Sequence, residues 1–143
     1  MPRMSATEPS VRTRWSERAL AVATHLSFPI GFTWATVNGH LNLLSPWMLL
    51  VPLIGACLVA SWSRRAMPFA RDHARESINL QVSVLLASIA FAFLLLTSPG
   101  AITLAIALFA AYVLTSFAQA CEAAWSAGMG REFRPPLAFR FLR

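Results

Sequence analysis

The chain has 143 residues, of which 57% are hydrophobic and 13% are charged, and its formal net charge is +6. A soluble globular domain carries about 25% charged residues, so this composition excludes that class and predicts one compact membrane domain without a separate soluble domain. The positive charge does not indicate nucleic-acid binding, because the Arg residues flank apolar runs and do not line one amphipathic face.

Two uncharged apolar runs dominate the sequence. All twelve basic residues are Arg, and they fall in three groups that the runs 19–63 and 77–121 separate. One helix needs about 20 residues to cross the hydrocarbon core of a bilayer, so each run has the length for two crossings joined by a tight turn. We therefore predict an all-α, polytopic membrane protein.

In chain order, residues 1–18 come first as a polar, Arg-rich tail. A polar stretch ahead of an apolar segment also resembles the start of a signal peptide. That apolar segment is too long, however, and no small-x-small cleavage site follows it. We interpret the segment as the first, uncleaved span.

Turn signals then divide both apolar runs into hairpins. The first signal is the polar stretch 38–42 and the second is Thr97-Ser98-Pro99-Gly100. The predicted spans are 19–37, 44–62, 78–97 and 101–121, within a transmembrane domain of residues 19–127.

The distribution of charge predicts the orientation. With four spans, both termini and the 63–77 loop share one side of the membrane, and that side holds all twelve Arg. The positive-inside rule places it in the cytoplasm, so we predict a multi-pass inner-membrane protein with both termini cytoplasmic. A re-entrant first segment would give three spans with the termini on opposite sides, which the Arg pattern disfavours.

Polar side chains concentrate in the cytoplasmic halves of the spans. In span four they recur at helical spacings from Tyr112 to Gln119, which puts them on one face. The predicted polar patch comprises His25, Asn79, Gln81, Ser83, Thr115, Ser116 and Gln119. Two interpretations stay open: hydrogen bonds that hold the helices in register, and a vestibule that admits water, a substrate segment or a partner helix.

The loop before span three carries a charged segment typical of a surface helix. Pro68 can begin this helix, and we place Asp72, His73 and Glu76 at the entrance of the polar patch. Together with His25 these residues could suggest a metal centre. Zinc sites show denser and more regular ligand spacing, so we predict no metal, no cofactor and no catalytic residue.

Cationic side chains near the predicted membrane surface are expected to contact anionic lipid headgroups, at about 1 kcal/mol each. They are Arg18, Arg64, Arg65, Arg71, Arg75, Arg134 and Arg140. Residues 128–143 end the fourth helix with glycines and close with an aromatic and basic stretch. We expect this tail to lie in the headgroup region with its rings toward the lipid.

Three ordered motifs resemble one known family. Residues 23–27 resemble its A-x-H-L-S opening, residues 68–81 its P-F-x-x-x-H-x-x-E-A-x-N-F-Q centre, and residues 130–137 its G-x-x-Y-R-Y-P-L end. This family comprises bacterial small membrane proteins of unknown function that are grouped with the twenty-kilodalton Tic subunit of chloroplast protein import. The resemblance covers residues 19–143 and implies a four-helix membrane domain and a role in protein translocation.

The sequence thus predicts a non-enzymatic, Tic-twenty-like inner-membrane protein. It would act by helix association with itself or with another membrane protein, in a bilayer with anionic headgroups. The alternative is a small channel or a translocation subunit whose polar patch lines a path. Phe133 and Pro135 stand where the family has tyrosines, which argues against any role that needs those phenol groups.

Overall fold

The structure consists of α-helices joined by short connections and followed by an extended C-terminal segment. It is a computed structural model, and it describes residues 14–37, 46–62, 67–97, 100 and 102–142. The helices are α1 (Trp15–Val37), α2 (Pro46–Trp62), α3 (Pro68–Thr97) and α4 (Ile102–Gly128). The all-α prediction is confirmed, while the turns predicted at 38–42 and at Ser98-Pro99 lie outside the described residues.

The helix ends follow local backbone chemistry. Pro68 is the first residue of α3, a position where its missing N–H is not needed. The predicted surface helix therefore continues into the third span as one helix of 30 residues. Helix α4 continues to Gly128, and Gly130 adopts the left-handed φ of 72° that commonly terminates helices.

Two of these helices, α3 and α4, are long and apolar enough to cross a membrane. Their most apolar windows have mean hydropathies of 2.3 and 1.8. The apolar part of α2, Leu50–Trp62, is shorter. The count of four crossings and the cytoplasmic location of the termini stay predictions.

Helices α1 and α3 form the central pair of the bundle. Each of them contacts the other three helices, whereas α2 and α4 share no close contact among the described residues. The two remaining helices therefore lie on opposite flanks of the α1–α3 pair. Consecutive helices pack as neighbours, as two hairpins require.

The bundle buries polar side chains and exposes large apolar ones. In its interior, the rings of Phe91 and Phe109 stack with centroids 4.4 Å apart. A soluble bundle exposes its polar faces, so an outward apolar surface is suited to lipid or to another helix. The outward side chains on α3 and α4 include Leu86, Ile89, Phe93, Leu96, Leu104, Leu108 and Leu114.

Candidate functional site

The buried polar side chains of α3 divide between two faces of that helix. His73, Ser77 and Gln81 follow one another at intervals of one helical turn. Asn79 comes two positions after Ser77, and Ser83 comes two positions after Gln81. In a helix of 3.6 residues per turn, two positions are a rotation of about 200°, so Asn79 and Ser83 lie on the nearly opposite face. The single polar patch of the sequence analysis is therefore two sites, one toward α1 and one toward the C-terminal segment.

Two histidines join α1 to α3 in the first site. Nε2 of His25 lies 3.0 Å from Nδ1 of His73, and the rings meet edge-to-face with centroids 5.2 Å apart. Both side chains are buried. One facing nitrogen must carry the hydrogen and the other must accept it, so the contact requires at least one neutral imidazole. Phe69 packs against His73, with ring centroids 4.5 Å apart.

Hydroxyl and amide groups extend this site along the helices. The Ser77 hydroxyl donates to the Thr24 carbonyl at 2.8 Å, and the Ser27 hydroxyl donates to the same carbonyl at 2.7 Å. The Gln81 amide donates to the Ser77 hydroxyl at 2.9 Å. The backbone of α1 is thus bonded directly to side chains of α3. We call this set the α1–α3 seam: His25, Ser27, His73, Ser77 and Gln81.

The second site holds the C-terminal segment through its main chain. Asn79 is fully buried. Its Oδ1 accepts hydrogen bonds from the N–H groups of Phe141 at 3.2 Å and Leu142 at 3.0 Å. Its Nδ2 donates to the Leu142 carbonyl at 3.2 Å. One side chain therefore satisfies three main-chain groups.

Two further side chains continue this arrangement along the segment. The Ser83 hydroxyl accepts from the Phe139 N–H at 2.8 Å, and Oε1 of Gln119 on α4 accepts from the Leu137 N–H at 3.3 Å. The bonded N–H groups belong to residues 137, 139, 141 and 142, and the segment itself turns at residues 136–137. We call Asn79, Ser83 and Gln119 the tail clamp.

The tail clamp explains why polar side chains occur near the ends of apolar helices. Non-helical backbone beside apolar helices needs partners for its N–H groups, because an unsatisfied buried N–H carries the full cost of its lost hydration. Asn79 lies one position and Gln119 two positions inside the predicted membrane boundaries at 78 and 121. Both side chains are buried, so their amides supply hydrogen bonds where water is excluded.

The connection between α4 and the clamped segment is tightly built. A Cβ atom at Gly130 would lie 3.0 Å from the guanidinium group of Arg18, and Pro135 is fully buried. Phe139 and Phe141, by contrast, are 68% and 54% exposed. The tail thus has its main chain on the bundle and its aromatic rings outward, in keeping with the expectation that the rings face lipid.

Several predicted residues lie outside the two sites. Thr115 is exposed and donates to the Ala111 carbonyl of its own helix, because it falls at the edge of the polar face of α4. Ser116 is buried but also bonds within its helix, to the Tyr112 carbonyl. Sequence spacing alone did not separate these two from Gln119.

The predicted entrance is also divided. Asp72 is exposed and Glu76 is half-buried, whereas His73 is 3% exposed and belongs to the α1–α3 seam. His73 is therefore not at an entrance. His73 lies one helical turn before Ser77, and both side chains face α1. This spacing is the signal that could have placed His73 beside His25.

The Arg residues predicted to contact headgroups lie at the surface where they are described. Arg71 Nε and Arg75 Nη1 lie 3.7 and 3.9 Å from the same Asp72 oxygen. Surface pairs of this kind contribute about 0–1 kcal/mol, so they leave lipid contact open to these side chains. Arg18, Arg134 and Arg140 are at least partly exposed, and Arg64 and Arg65 lie outside the described residues.

The hydrogen bonds of the two sites go to other parts of the same chain, while His25 Nδ1, His73 Nε2 and Gln81 Oε1 are buried without a hydrogen-bond partner among the described residues. Within the described ranges, no group of three or more His, Cys, Asp or Glu could hold a metal ion. The facing nitrogens of His25 and His73 bond to each other, and the tail clamp bonds to backbone. The geometry therefore joins helices and fixes the tail.

The comparison with protein families covers both sites. The profile of the MamF/MmsF family, the magnetosome magnetite crystal formation protein family, matches residues 16–142. The chain belongs to this family. Together with the two apolar helices, membership indicates a membrane protein of the magnetosome. No curated protein and no solved structure matches the chain significantly.

The identification of the chain as Tic-twenty-like was wrong. The match to the magnetosome family covers the same three motifs that carried the resemblance. Those motifs contain His25, His73 and Asn79, which join α1 to α3 and hold the tail. Such residues describe how helices and tail pack, and packing does not distinguish one function from another.

Proposed function

We propose that this protein acts in the magnetosome membrane, where it contributes to magnetite crystal formation as a non-enzymatic assembly partner. It associates through its helices with itself or with another membrane protein, and it needs no cofactor of its own. The match to the magnetosome magnetite crystal formation family over residues 16–142 carries the proposal.

The way the chain uses its polar side chains supports a packing role. The tail clamp bonds to main-chain groups of residues 137–142, and His25 bonds to His73. Side chains that line a path must instead face water or a passing ligand. These contacts therefore favour helix packing over the alternative of a channel or translocation subunit.

The outward faces of α3 and α4 support association with another helix. Leu104, Leu108 and Leu114 are each more than half exposed on α4. Helices associate in membranes through van der Waals packing of such faces, since hydrocarbon does not drive them together. This surface is the part of the described chain best suited to meet a membrane partner.

We place four crossings in the membrane and both termini on the cytoplasmic side. The uncharged part of α1, residues 19–37, is about 28 Å long at 1.5 Å per residue, which is close to a hydrocarbon core of about 30 Å. Helices α1 and α2 also pack on α3 as α4 does. The twelve Arg at the predicted cytoplasmic positions support the orientation.

Replacement of the chromosomal copy in a magnetite-forming host tests the function. His25→Leu removes the hydrogen bond between α1 and α3, and Asn79→Leu removes those that hold the C-terminal segment, so we expect several-fold lower abundance of the protein in isolated magnetosome membranes. Ser88→Ala is the matched control, because Ser88 is buried but bonds only to the Val84 carbonyl of its own helix. Immunoblots measure abundance, and electron microscopy measures crystal size and number.

The assembly role predicts that crystal defects follow the loss of protein and are corrected when expression is raised. Normal abundance with a crystal defect would contradict it and favour the path alternative. Unchanged crystals in a strain that lacks the protein would contradict the role in magnetite formation itself.

A further inference from the structure

A cavity of about 570 Å³ opens between α2, the start of α3 and the end of the tail. Its volume falls in the range of small-molecule sites, about 300–1,000 Å³. None of the functions discussed so far uses it. The cavity is lined by Cys57, Ala60, Ser61, Arg71, Arg75, Ile78 and Leu142.

The cavity lies at the level where lipid headgroups are expected. Ser61 is followed by Trp62, the last residue of α2, whose side chain is 86% exposed. Exposed tryptophans mark the membrane–water interface, where the ring is buried and the N–H stays hydrated. Arg71 and Arg75 lie in the first two turns of α3, and Ile78 follows about 4.5 Å deeper at 1.5 Å per residue.

The polar side of the cavity is cationic. Among the described residues that line the cavity, the charged ones are Arg71 and Arg75, and both are positive. Their guanidinium groups lie 3.7 and 3.9 Å from the same oxygen of Asp72. The planar guanidinium donates two parallel hydrogen bonds, a geometry that matches the oxygens of a phosphate group.

The opposite side of the cavity is apolar, and the tail completes it. Cys57, Ala60 and Ile78 come from α2 and α3, and Leu142 comes from the tail. Asn79 fixes the backbone of Leu142 by accepting from its N–H and donating to its carbonyl. A docked tail is therefore part of the wall.

We propose that this cavity binds one anionic phospholipid, with its phosphate beside Arg71 and Arg75 and its first acyl carbons against Cys57 and Ile78. The chemistry it recognises is a phosphate group, which a lipid or free inorganic phosphate could supply. The apolar wall favours the lipid, because free phosphate gains nothing from Ile78 and Leu142. This inference requires that the protein lies in a membrane. It does not depend on the proposed role in magnetite formation.

Native mass spectrometry of the purified full chain tests the proposal. Detergent-solubilised protein is mixed with equal amounts of phosphatidylglycerol and phosphatidylcholine that carry the same acyl chains. We expect one phosphatidylglycerol retained per chain in preference to phosphatidylcholine. Equal retention of the two lipids would overturn the proposal.

Charge variants locate the site. Arg75→Gln should weaken phosphatidylglycerol retention about five-fold, the equivalent of about 1 kcal/mol per interfacial charge, whereas Arg75→Lys should keep most of it. Arg131→Gln removes an exposed charge that lies outside the cavity and outside the set predicted to contact headgroups, and it should change nothing. Equal losses in Arg75→Gln and Arg131→Gln, or no loss in Arg75→Gln, would overturn the assignment.

The two cysteines report occupancy in the unaltered protein. Cys57 lines the cavity, Cys121 does not, and both are exposed. Phosphatidylglycerol should slow maleimide labelling of Cys57 and leave Cys121 unchanged, while phosphatidylcholine and inorganic phosphate should have little effect. Protection of Cys57 by inorganic phosphate equal to that by phosphatidylglycerol would overturn the lipid assignment.

Discussion

Asn79→Ala tests whether the tail clamp holds the C-terminal segment. The substitution removes the two hydrogen bonds that Oδ1 accepts from Phe141 and Leu142 and the one that Nδ2 donates to the Leu142 carbonyl. All three bonds go to the tail and none to another helix. The effect should therefore fall on the tail while α3 stays folded.

The number of bonds gives the size of the effect. Buried hydrogen bonds contribute about 0.6–1 kcal/mol each in membrane and soluble proteins, so three bonds contribute about 2–3 kcal/mol. Since 1.4 kcal/mol is tenfold in an equilibrium, the ratio of docked to released tail should fall about 30- to 140-fold.

Hydrogen exchange followed by mass spectrometry measures this ratio directly. In detergent-solubilised Asn79→Ala protein, the amides of residues 137–142 should exchange about 30-fold faster or more, with little change in the interior of α3. Trypsin should also cleave after Arg140 more readily. Ser88→Ala serves as the control and should leave tail exchange unchanged, because Ser88 does not bond to the tail.

Unaltered exchange at 137–142 in a folded Asn79→Ala protein would refute the assignment of the clamp. An equal loss of protection across α3 and α4 would refute it as well, since Asn79 would then support the bundle rather than the tail.

Three other substitutions test neighbouring parts of the structure. His25→Leu should lower the free energy of unfolding of the solubilised protein by about 2–3 kcal/mol, because it leaves the buried His73 unpaired. Replacing both His25 and His73 by Leu should cost less than the sum of the two single replacements. Additive losses would contradict a direct pair. Gln119→Leu should speed exchange at the Leu137 amide about five-fold for the loss of one bond of about 1 kcal/mol, and unchanged exchange there would show that the bond is not formed. Gly130→Ala should loosen the tail less than Asn79→Ala does, about five-fold, because an Ala at a φ of 72° costs about 1 kcal/mol while the flexible Arg18 side chain can move away from the methyl group; unchanged tail exchange would contradict this.

The helices could be predicted from the sequence. Uncharged runs between Arg groups indicate helices of membrane-spanning length, and the observed ends of α1 and α2 coincide with predicted ends at 37 and 62. The single helix from Pro68 to Thr97 likewise follows from the sequence, because no Gly or Pro interrupts it after Pro68.

The partners of the polar residues could not be predicted in the same way. Asn79, Ser83 and Gln119 bind main-chain N–H groups, and a main-chain partner leaves no pattern of side chains in the sequence. The pairing of His25 with His73 depends on how α1 packs against α3, which helical periodicity within one segment does not determine. The residues of the three motifs determine how the helices and the tail pack, so the motifs indicated a four-helix domain but not the correct family.

Site-specific photocrosslinking in magnetosome membranes tests the central claim most directly. A crosslinking residue at position 81 or 119 probes the interior of the bundle, and one at position 108 probes the exposed face of α4. A protein that acts by assembly should crosslink only within its own chain from 81 and 119, and should capture one recurrent membrane protein or a second copy of itself from 108. Capture of many unrelated extended chains from 81 and 119 would contradict the account, because the polar side chains would then line a path.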